Sequence, residues 1–264
     1  MSDQYKRIAI VTGTTSGIGE ATMRRFVAAG FGVVGNGRNA EKLAALENEL
    51  GPAFCSVAGD AADTAVLDRL FDLARERFGG EADIVVANAG RGVPGSVKDA
   101  DLSQFGDLLK INVSGALALI QKAARKMVAV QENAFPGSAA DIVIIGSVVG
   151  RHISPFSAVY GASKFAVHAM AEGLRREIGP KGVRVSLVEP GAVLSGFQAA
   201  AGYSDELVDN FHKGHRKCDP PYCLPTAPRA YQRHRRSTHA AGLPIIYQRA
   251  MGSATNIICF WESF

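Results

Sequence analysis

The amino-acid sequence predicts an α/β fold: a single Rossmann-type, doubly wound domain in which a parallel sheet carries helices on both faces. Strand-like apolar runs alternate with helix-like runs from residue 7 to residue 190, which is typical of such a sheet. A glycine-rich turn also separates the first strand from the first helix. The chain has 264 residues, 47% of them hydrophobic, so it can form a large core.

The elements follow from this alternation. The first strand is predicted at residues 7–12, RIAIVT, because the run is short, mostly apolar and ends at Gly13. The helix-like run EATMRRFVAAG comes soon after it. The remaining strands are predicted at 31–36, 53–57, 83–87, 140–146 and 183–188. The helices are predicted at 18–29, 40–50, 63–78, 101–130 in two pieces, and 157–178.

The turn after the first strand is a candidate dinucleotide site. It reads Gly13-Thr14-Thr15-Ser16-Gly17-Ile18-Gly19. Glycines let the backbone approach a pyrophosphate closely, and the N-terminus of the following helix favours an anion. An ordinary glycine-rich turn could have the same sequence. The strand before it and the helix after it favour the binding site.

Tyr160 and Lys164 are four residues apart in a predicted helix, and Ser147 precedes the tyrosine by thirteen residues. A free tyrosine, with a pKa of about 10, is a poor acid or base near neutrality. A lysine ammonium one helical turn away lies on the same face and favours the phenolate. Ser147 can donate a hydrogen bond to the substrate oxygen on which Tyr160 acts. The three residues therefore suit hydride transfer to a carbonyl, which creates an alkoxide, although this tyrosine–lysine spacing also arises by chance in long helices.

These motifs make residues 7 to 200 resemble the short-chain dehydrogenase/reductase family. The motifs stand in the family's order: the T-G-x-x-x-G-x-G loop from Thr12 to Gly19, Asn88-Ala89-Gly90, Asn112, Ser147, Tyr160 with Lys164, and Pro190-Gly191. The resemblance implies that Tyr160 is the catalytic acid/base and that Ser147 orients the substrate carbonyl. It also implies that Lys164 lowers the pKa of the tyrosine and binds the nicotinamide ribose. Asn112 is then expected to hold a proton-relay water near the lysine.

The resemblance also implies a nicotinamide cofactor. The residues expected to hold it are Gly13, Thr15, Ser16, Gly17, Ile18, Gly19, Arg38, Asp60, Asn88, Ala89, Gly90, Tyr160, Lys164, Pro190, Gly191, Val193 and Ser195. Ser195 takes the place of a threonine that bonds the nicotinamide carboxamide in relatives. Asp60 matches a position near the adenine amino group, and it would equally fit a helix N-terminal residue without a ligand.

The end of the second strand favours NADP, with NAD possible. A carboxylate there would bind the adenosine ribose diol and repel a 2′-phosphate. Gly37 occupies the place of that acid, and Arg38 could pair with a 2′-phosphate. Ser16 argues against NADP, because many NADP-preferring relatives carry a second basic residue at this position of the glycine turn. Arg38 would also fit a solvated loop position.

The resemblance implies that the chain interconverts a secondary alcohol and a carbonyl compound, in the manner of polyol (ribitol-type) or 3-hydroxy-acid dehydrogenases. Substrate contacts are expected from Gly92, Val93, Val148, Val149 and His152, and from the segment 192–212, of which 196–212 could form a lid. Arg91 or Arg151 could bind a substrate carboxylate, but both also fit surface positions. The alternative function is a catalytically idle dinucleotide-binding or sensor protein, against which the complete set of Ser147, Tyr160 and Lys164 argues.

The partner expected on this reading is a second copy of the chain. The helices within 101–130 and 157–178 carry apolar residues beyond one face, and in the family they pack against a second subunit. We therefore expect a homodimer or homotetramer. The same residues would also suit helices that merely cover the sheet.

Residues 213–264 differ in composition from the rest of the chain. They hold eight of the 29 lysines and arginines but only two of the 25 acidic residues, so the formal charge is +6 here and −2 in residues 1–212. We therefore expect a dinucleotide-binding catalytic domain at 1–212 and an atypical basic segment at 213–264. This segment could be an extension that donates a last strand, a disordered basic arm, or the product of a shifted reading frame.

Several other function classes are not expected. No apolar run approaches the length of a membrane span and no signal-peptide pattern is present. Four irregularly spaced cysteines indicate no disulfide framework, so we expect a cytoplasmic protein. Nucleic-acid binding is not expected, because the basic excess is confined to 213–264. No metal site is expected either, since His212, His215, Cys218 and Cys223 fit no common zinc spacing.

Overall fold

The computed structural model describes residues 5–134, 140–153, 157–191, 193 and 195–203. In these ranges the chain forms one parallel sheet flanked by helices, which confirms the predicted fold class. The expectations for residues 213–264 lie outside the described residues, as do residues 204–212 of the expected lid.

The sheet places the candidate site at its centre. Its strands are β1 (Ile8–Thr12), β2 (Gly32–Gly37), β3 (Phe54–Ala58), β4 (Ile84–Ala87), β5 (Ala140–Ile145) and β6 (Val183–Val188). They lie in the order β3-β2-β1-β4-β5-β6, and every neighbouring pair is parallel. The chain moves outward from β1 to β3 and then returns to the other side of β1. The carboxyl ends of β1 and β4 are therefore the switch point, where doubly wound sheets bind ligands.

The described helices are α1 (Gly17–Ala28), α2 (Ala40–Leu50), α3 (Thr64–Phe78), α4 (Leu102–Leu109), α5 (Ala116–Ala134), α6 (Ala158–Ile178) and the short α7 (Phe197–Ala200). Polar side chains start three of them: the carbonyl or carboxylate oxygens of Asn39, Asp63 and Asp101 accept backbone N–H groups of α2, α3 and α4. Gly79, with a φ of 79°, ends α3. Within the described ranges, none of the helices is long and apolar enough to cross a membrane.

Two apolar clusters hold the helices to the sheet. On one face, α3, α5 and α6 contribute side chains such as Phe71, Ile120 and Val167 to a core that includes Ile10 and Ile142. On the other face, α1 and α2 contribute Met23, Leu43 and Leu46, which pack with alternate residues of β1, β2 and β4. Both faces of β1 and β4 are thus buried, so these two strands form a rigid support for the loops that follow them.

The two predicted pieces of the helical region 101–130 are α4 and α5, and a π-helical turn over Lys110–Gly115 joins them. π-Helical turns are rare and are found frequently at functional sites. The turn approaches the loop after β3 closely, because a Cβ on Gly115 would lie 3.0 Å from the carbonyl oxygen of Ala61. The turn contains Asn112, one of the predicted site residues.

Candidate active site

The glycine turn after β1 has the backbone conformation that its sequence requires. Gly13 and Gly17 have φ values of 74° and 57°, which residues with a side chain rarely adopt. A Cβ on Gly13 would lie 2.7 Å from Nδ2 of Asn88, and a Cβ on Gly19 would overlap the carbonyl oxygen of Gly13. Gly13 and Gly19 are therefore needed to pack the turn against α1 and against the loop after β4.

Thr12 and Asn88 join the glycine turn to the loop after β4. The hydroxyl of Thr12 accepts the backbone N–H groups of Asn88 and Ala89 at 3.1 Å and 3.0 Å. In return, Nδ2 of Asn88 donates to the carbonyl oxygen of Thr12 at 2.8 Å. These bonds hold the two loops of the switch point in a fixed relation. The sequence identifies Thr12 only as the first residue of the loop motif and does not predict its bridging hydroxyl.

The N-terminus of α1 has a hydroxyl that its own helix does not use. Ser16 is the residue before the first turn of α1, and its side chain makes no capping hydrogen bond. Ser16 is exposed, and Thr15 and Ile18 beside it are partly exposed. Thr14, in contrast, is buried and donates its hydroxyl to the carbonyl oxygen of Asn36. The free N–H groups of the first helical turn together with the Ser16 hydroxyl can bind a phosphate.

The end of β2 has no room for the family's acid. A Cβ on Gly37 would lie 2.5 Å from Cγ2 of Thr15, so the threonine of the glycine turn fills the space of a side chain at 37. Arg38, which follows, is exposed. In the described part of the chain, no hydrogen bond or ion pair engages its side chain. Its guanidinium is available for a ligand beyond the end of β2.

The carboxylate of Asp60 makes a hydrogen bond within its own loop. One carboxylate oxygen accepts the backbone N–H of Ala62 at 2.9 Å, and the other lies 3.8 Å from Nζ of Lys110. This turn precedes α3, whose first turn is capped by Asp63, so Asp60 is not the helix N-terminal residue that the sequence offered as an alternative to adenine contact. The carboxylate remains partly exposed, and its contact with an adenine amino group stays a prediction.

Asn112 is 2% exposed and links three elements of the site. Its Oδ1 accepts the backbone N–H of Arg91 at 2.9 Å, and its Nδ2 donates to the carbonyl oxygen of Arg91 at 2.9 Å and to Oγ of Ser163 at 3.0 Å. Oγ of Ser163 in turn donates to the carbonyl oxygen of Tyr160. Asn112 therefore ties the loop after Gly90 to the first turns of α6. The contribution of Ser163 was not predicted, although it stands next to Lys164 in the sequence.

The Ser147 hydroxyl interacts with the Tyr160 phenol and acts to lower its pKa. Ser147 follows β5 and starts a short 3₁₀ turn, Val148–Gly150, in which its Oγ accepts the backbone N–H of Val149 at 3.4 Å. Tyr160 lies in the first turn of α6 and packs against Val93, Leu108 and Val159. The structure thus brings together the serine and tyrosine that the sequence places thirteen residues apart.

Lys164 is buried one turn beyond Tyr160 on α6. Its Nζ donates to the carbonyl oxygen of Ile145 at 2.8 Å and lies 5.8 Å from the centre of the Tyr160 ring. Burial lowers the pKa of the ammonium from 10.5 to about 8. The lysine is therefore still protonated at neutral pH, at a cost in desolvation.

The expected depression of the tyrosine pKa is absent from this arrangement. Burial raises the pKa of Tyr160 above its ordinary value of 10, and the hydrogen bond from Ser147 offsets only part of that effect. The ammonium of Lys164 donates its hydrogen bond to the carbonyl oxygen of Ile145 rather than to the phenol. This explains why the ammonium does not bring the pKa of Tyr160 below its ordinary value. At neutral pH the phenol is protonated and is a proton donor.

Residues 195–203 lie beside the tyrosine and the glycine turn. The Phe197 ring is centred 5.9 Å from the Tyr160 ring, and a Cβ on Gly17 would lie 3.2 Å from Cβ of Ser195. A Cβ on Gly92 would lie 3.0 Å from atoms of Phe197, Ala201 and Tyr203.

The described part of the expected lid therefore packs on Gly92, which is one of the residues predicted to contact the substrate. Gln198 holds its start by donating to the carbonyl oxygen of Val193 at 2.6 Å. Pro190 is buried and Gly191 partly exposed, at the point where the chain leaves β6 for this segment. The aromatic side chains Phe197 and Tyr203 were not singled out from the sequence.

The two arginines considered for a substrate carboxylate have partners within the protein. Nε of Arg151 lies 2.7 Å from each carboxylate oxygen of Glu189, which is itself buried. Nη1 of Arg91 lies 3.6 Å from Asp107. His152 is exposed at the rim. In the described residues, no group of three or more metal-ligating side chains comes together, and the His212 to Cys223 set lies outside them.

The comparisons with known proteins agree with this geometry. A family described as short chain dehydrogenase matches residues 7–205. An uncharacterized oxidoreductase of Staphylococcus aureus (strain MW2) is 33% identical over 200 residues, which are 75% of this chain and 83% of the relative. An uncharacterized oxidoreductase of Staphylococcus epidermidis is 30% identical over 193 residues, or 73% of this chain and 80% of the relative.

Solved structures have the same fold. A short chain dehydrogenase/reductase from Burkholderia phymatum in complex with NAD is 25% identical, with a TM-score of 0.70 over 82% of this chain and 80% of that one. A serine dehydrogenase complexed with NADP+ is 27% identical, with a TM-score of 0.70 over 78% of this chain and 81% of that one.

Proposed function

The chain belongs to the short-chain dehydrogenase family of oxidoreductases, and on that premise we propose that it interconverts a secondary alcohol and a ketone or aldehyde with a nicotinamide cofactor. One observation carries the proposal: the Tyr160 phenol interacts with the Ser147 hydroxyl, and the buried ammonium of Lys164 lies 5.8 Å from the centre of its ring. A protein that only binds a dinucleotide has no need of a buried phenol with a serine partner and a desolvated lysine. This set suits proton transfer to a substrate oxygen.

In the reducing direction, Tyr160 gives its phenolic proton to the carbonyl oxygen while that oxygen develops negative charge. Ser147 donates a hydrogen bond to the same oxygen and stabilises the charge. Its Oγ already accepts from Val149, so the hydroxyl proton can point to the substrate. The ammonium of Lys164 stabilises the phenolate that remains. A bound nicotinamide would supply the hydride to the carbonyl carbon in this direction and would accept it from the alcohol carbon in the reverse direction.

The chain's residues fit such a cofactor. Gly13, Gly17 and Gly19 present bare backbone at the N-terminus of α1, and Ser16 offers a hydroxyl that its helix does not use. Lys164 is near enough to Tyr160 to serve both the phenol and a ribose hydroxyl, as the family resemblance implies. On the far side of the site, Ser195 lies against Gly17, where the family places the contact to the carboxamide.

NADP is the proposed cofactor, with NAD possible. The relatives of similar fold include one complexed with NAD and one complexed with NADP+. In this chain the end of β2 has no carboxylate to repel a 2′-phosphate, because Thr15 fills the space beside Gly37. The exposed Arg38 adds a positive charge there.

Fluorescence titrations of the full-length protein with NADPH and with NADH test this preference. We expect NADPH to bind more tightly than NADH. Arg38→Ala should raise the Kd for NADPH by about tenfold and change the Kd for NADH by less than about twofold. Arg176→Ala, at an exposed arginine in the last turn of α6, is the matched control and should change neither. Tighter binding of NADH by the wild type would contradict the preference.

The proposed substrate is an uncharged ketone or aldehyde, or the corresponding alcohol. Val93, Phe197 and Gly92 give the described lining an apolar character near Tyr160. Arg151 is held by Glu189, and Arg91 lies near Asp107, so neither favours a substrate carboxylate. The raised pKa of Tyr160 favours the reducing direction, in which the phenol starts protonated.

Turnover in a panel of aliphatic and aryl ketones, aldehydes, secondary alcohols and polyols tests the catalytic role. Tyr160→Phe should abolish turnover and leave NADPH binding within about twofold, because only the proton donor is lost. Tyr5→Phe, which removes an exposed hydroxyl bonded to Pro52, is the matched control and should keep full activity. Full activity of Tyr160→Phe would overturn the proposal. Absence of turnover by the wild type across the panel, with NADPH bound, would favour the idle sensor instead.

We also propose a homodimer or homotetramer formed through α5 and α6, and a cytoplasmic location. Leu117 of α5 and Phe165 of α6 are large apolar side chains that are 47% and 42% exposed in the single chain. Burial of such side chains against a second copy would be favourable. Light scattering on wild type and on Leu117→Glu with Phe165→Glu checks this: the variant should be monomeric, and an unchanged molar mass would refute the interface.

A further inference from the structure

A partly buried histidine lies against the backbone of Ser147. The backbone N–H of Ser147 donates to Nε2 of His168, with 3.3 Å between the nitrogens. Nε2 can accept this bond only while it carries no proton. The other ring nitrogen, Nδ1, lies 3.7 Å from Oε1 of Glu189, where a proton on Nδ1 is attracted by the carboxylate. The contacts therefore assign the neutral ring with its proton on Nδ1.

Two glycines leave space for this ring. A Cβ on either Gly146 or Gly150 would overlap Nε2 of His168. Neither glycine has a positive φ, so the requirement is space rather than backbone conformation. The loop that carries Ser147 is thus built around the imidazole from both sides of the serine.

Glu189 is fixed in turn. It follows β6, it is buried, and both of its carboxylate oxygens lie 2.7 Å from Nε of Arg151. Backbone bonds join the same two loops: Gly146 donates to Val188 at 2.8 Å and Val148 donates to Pro190 at 3.1 Å. The side chains of Arg151, Glu189 and His168 thus run from the protein surface to the backbone of Ser147.

We propose that His168 is a positioning residue, which holds Ser147 in place to bond the substrate oxygen and Tyr160, with Glu189 fixing the ring's tautomer. The inference rests on the proposed function, because it concerns the serine of that site. Protonation of His168 would set an Nε2–H against the N–H of Ser147 and would release the serine turn. The Ser147 position is therefore coupled to pH.

The charged groups that face His168 come from three elements. Glu189 after β6 favours the protonated ring, whereas Arg151 after β5 and Lys164 one turn earlier on α6 oppose it. Burial has the largest effect, and it lowers the pKa of His168 below its ordinary value of 6.5. The ring is neutral at neutral pH, and the Ser147 bond is lost only as the pH falls below that value.

Nuclear magnetic resonance on the full-length protein tests the contact without any substrate. Serine is labelled with nitrogen-15, and Ser147→Ala identifies the Ser147 amide signal. We expect this signal to move with the His168 titration, which falls below the ordinary histidine pKa of 6.5. In His168→Gln, whose side-chain oxygen can accept the same bond, the signal should be independent of pH. A Ser147 signal in the wild type that ignores the His168 titration would overturn the proposal.

Kinetics test the consequence for catalysis, with the ketone or aldehyde of the panel that the wild type reduces fastest. His168→Met, which fills the space without an acceptor, should lower kcat by about tenfold or more and leave the Kd for NADPH within about twofold. His168→Gln should restore most of kcat and remove the loss of activity below pH 6.5. An unchanged acid limb in His168→Gln, or an unchanged kcat in a folded His168→Met, would contradict the role.

The two proposals can fail separately. Full activity of Tyr160→Phe would end the proposed chemistry, while the nuclear magnetic resonance result on His168 and Ser147 would be unaffected. A Ser147 amide without a link to His168 would end only the positioning role.

Discussion

Replacing Lys164 with methionine removes a buried ammonium from the proposed active site and should stabilise the protein. Burial lowers the pKa of Lys164 from 10.5 to about 8. Since each pKa unit corresponds to about 1.4 kcal/mol, the folded state penalises the charge by roughly 3 kcal/mol at neutral pH. Methionine has a similar length and carries no charge, so the variant escapes this penalty.

The variant also loses favourable contacts. The hydrogen bond from Nζ to Ile145 and the contact with the Tyr160 ring, at 2.8 Å and 5.8 Å, together contribute about 1–2 kcal/mol. We therefore expect a net gain of about 1–2 kcal/mol at pH 7, which corresponds to about 2–8 °C in Tm for a domain of this size. Turnover should be lost, because the proposed mechanism requires the ammonium.

The pH dependence gives the sharper test of this reasoning. Between pH 8 and pH 10.5 the unfolded lysine is still protonated while the folded lysine is not. The unfolded state then binds more protons, so the stability of the wild type rises with pH. The advantage of Lys164→Met should shrink through this window and turn into a deficit near its upper end, because the desolvation penalty disappears while the lost contacts remain lost.

Thermal and urea unfolding of both proteins at pH 7, 9 and 10.5 measure the difference. Lys98→Met, at a lysine that is 86% exposed, is the matched control and should change stability by less than about 0.5 kcal/mol. A Lys164→Met variant that is less stable than the wild type at pH 7, or a difference that does not vary with pH, would refute the account of the buried lysine.

Three further outcomes are expected from the loops around the site. Gly19→Ala should abolish NADPH binding in a titration, because its Cβ would overlap backbone, whereas Gly173→Ala, with open space in α6, should be neutral or stabilising by up to about 1 kcal/mol; equal effects would contradict the packing argument. Gly37→Asp should weaken the binding of NADPH by about tenfold or more. It should bind NADH well only when combined with Thr15→Ala, since Thr15 occupies the space that the new side chain needs. Strong NADH binding by the single variant would contradict this. Asn112→Ala should cost about 2–4 kcal/mol in urea unfolding, because it leaves buried backbone groups unpaired; a loss below about 0.5 kcal/mol would argue against the linking role.

The architecture was largely predictable from the sequence because it depends on periodicity and turns. The apolar run at 7–12, its glycine turn and the helix after it place β1 and α1 within one residue of their observed bounds. Parallel strands buried on both faces read as continuous apolar runs, which are easy to recognise. The π-helical turn at Lys110–Gly115 was not predictable, because one extra backbone residue in a helix leaves no mark on the pattern of side chains.

The site was predictable only where chemistry follows a motif. Ser147, Tyr160 and Lys164 are brought together as their spacing and the family order imply. The interactions of His168 and Glu189 depend on how the loops after β5 and β6 meet in space, which no local pattern encodes. The protonation of Tyr160 could not be foreseen either, because it depends on burial rather than on distance along the helix.

The transfer of deuterium from reduced cofactor to product tests the central claim most directly. NADPH carrying deuterium at the transferable position of C4 is supplied with the best carbonyl substrate of the panel, and the alcohol is analysed by mass spectrometry. The account predicts one deuterium on the carbinol carbon with the wild type and no product with Tyr160→Phe. Unlabelled alcohol from the wild type, or labelled alcohol formed equally fast by Tyr160→Phe, would contradict it.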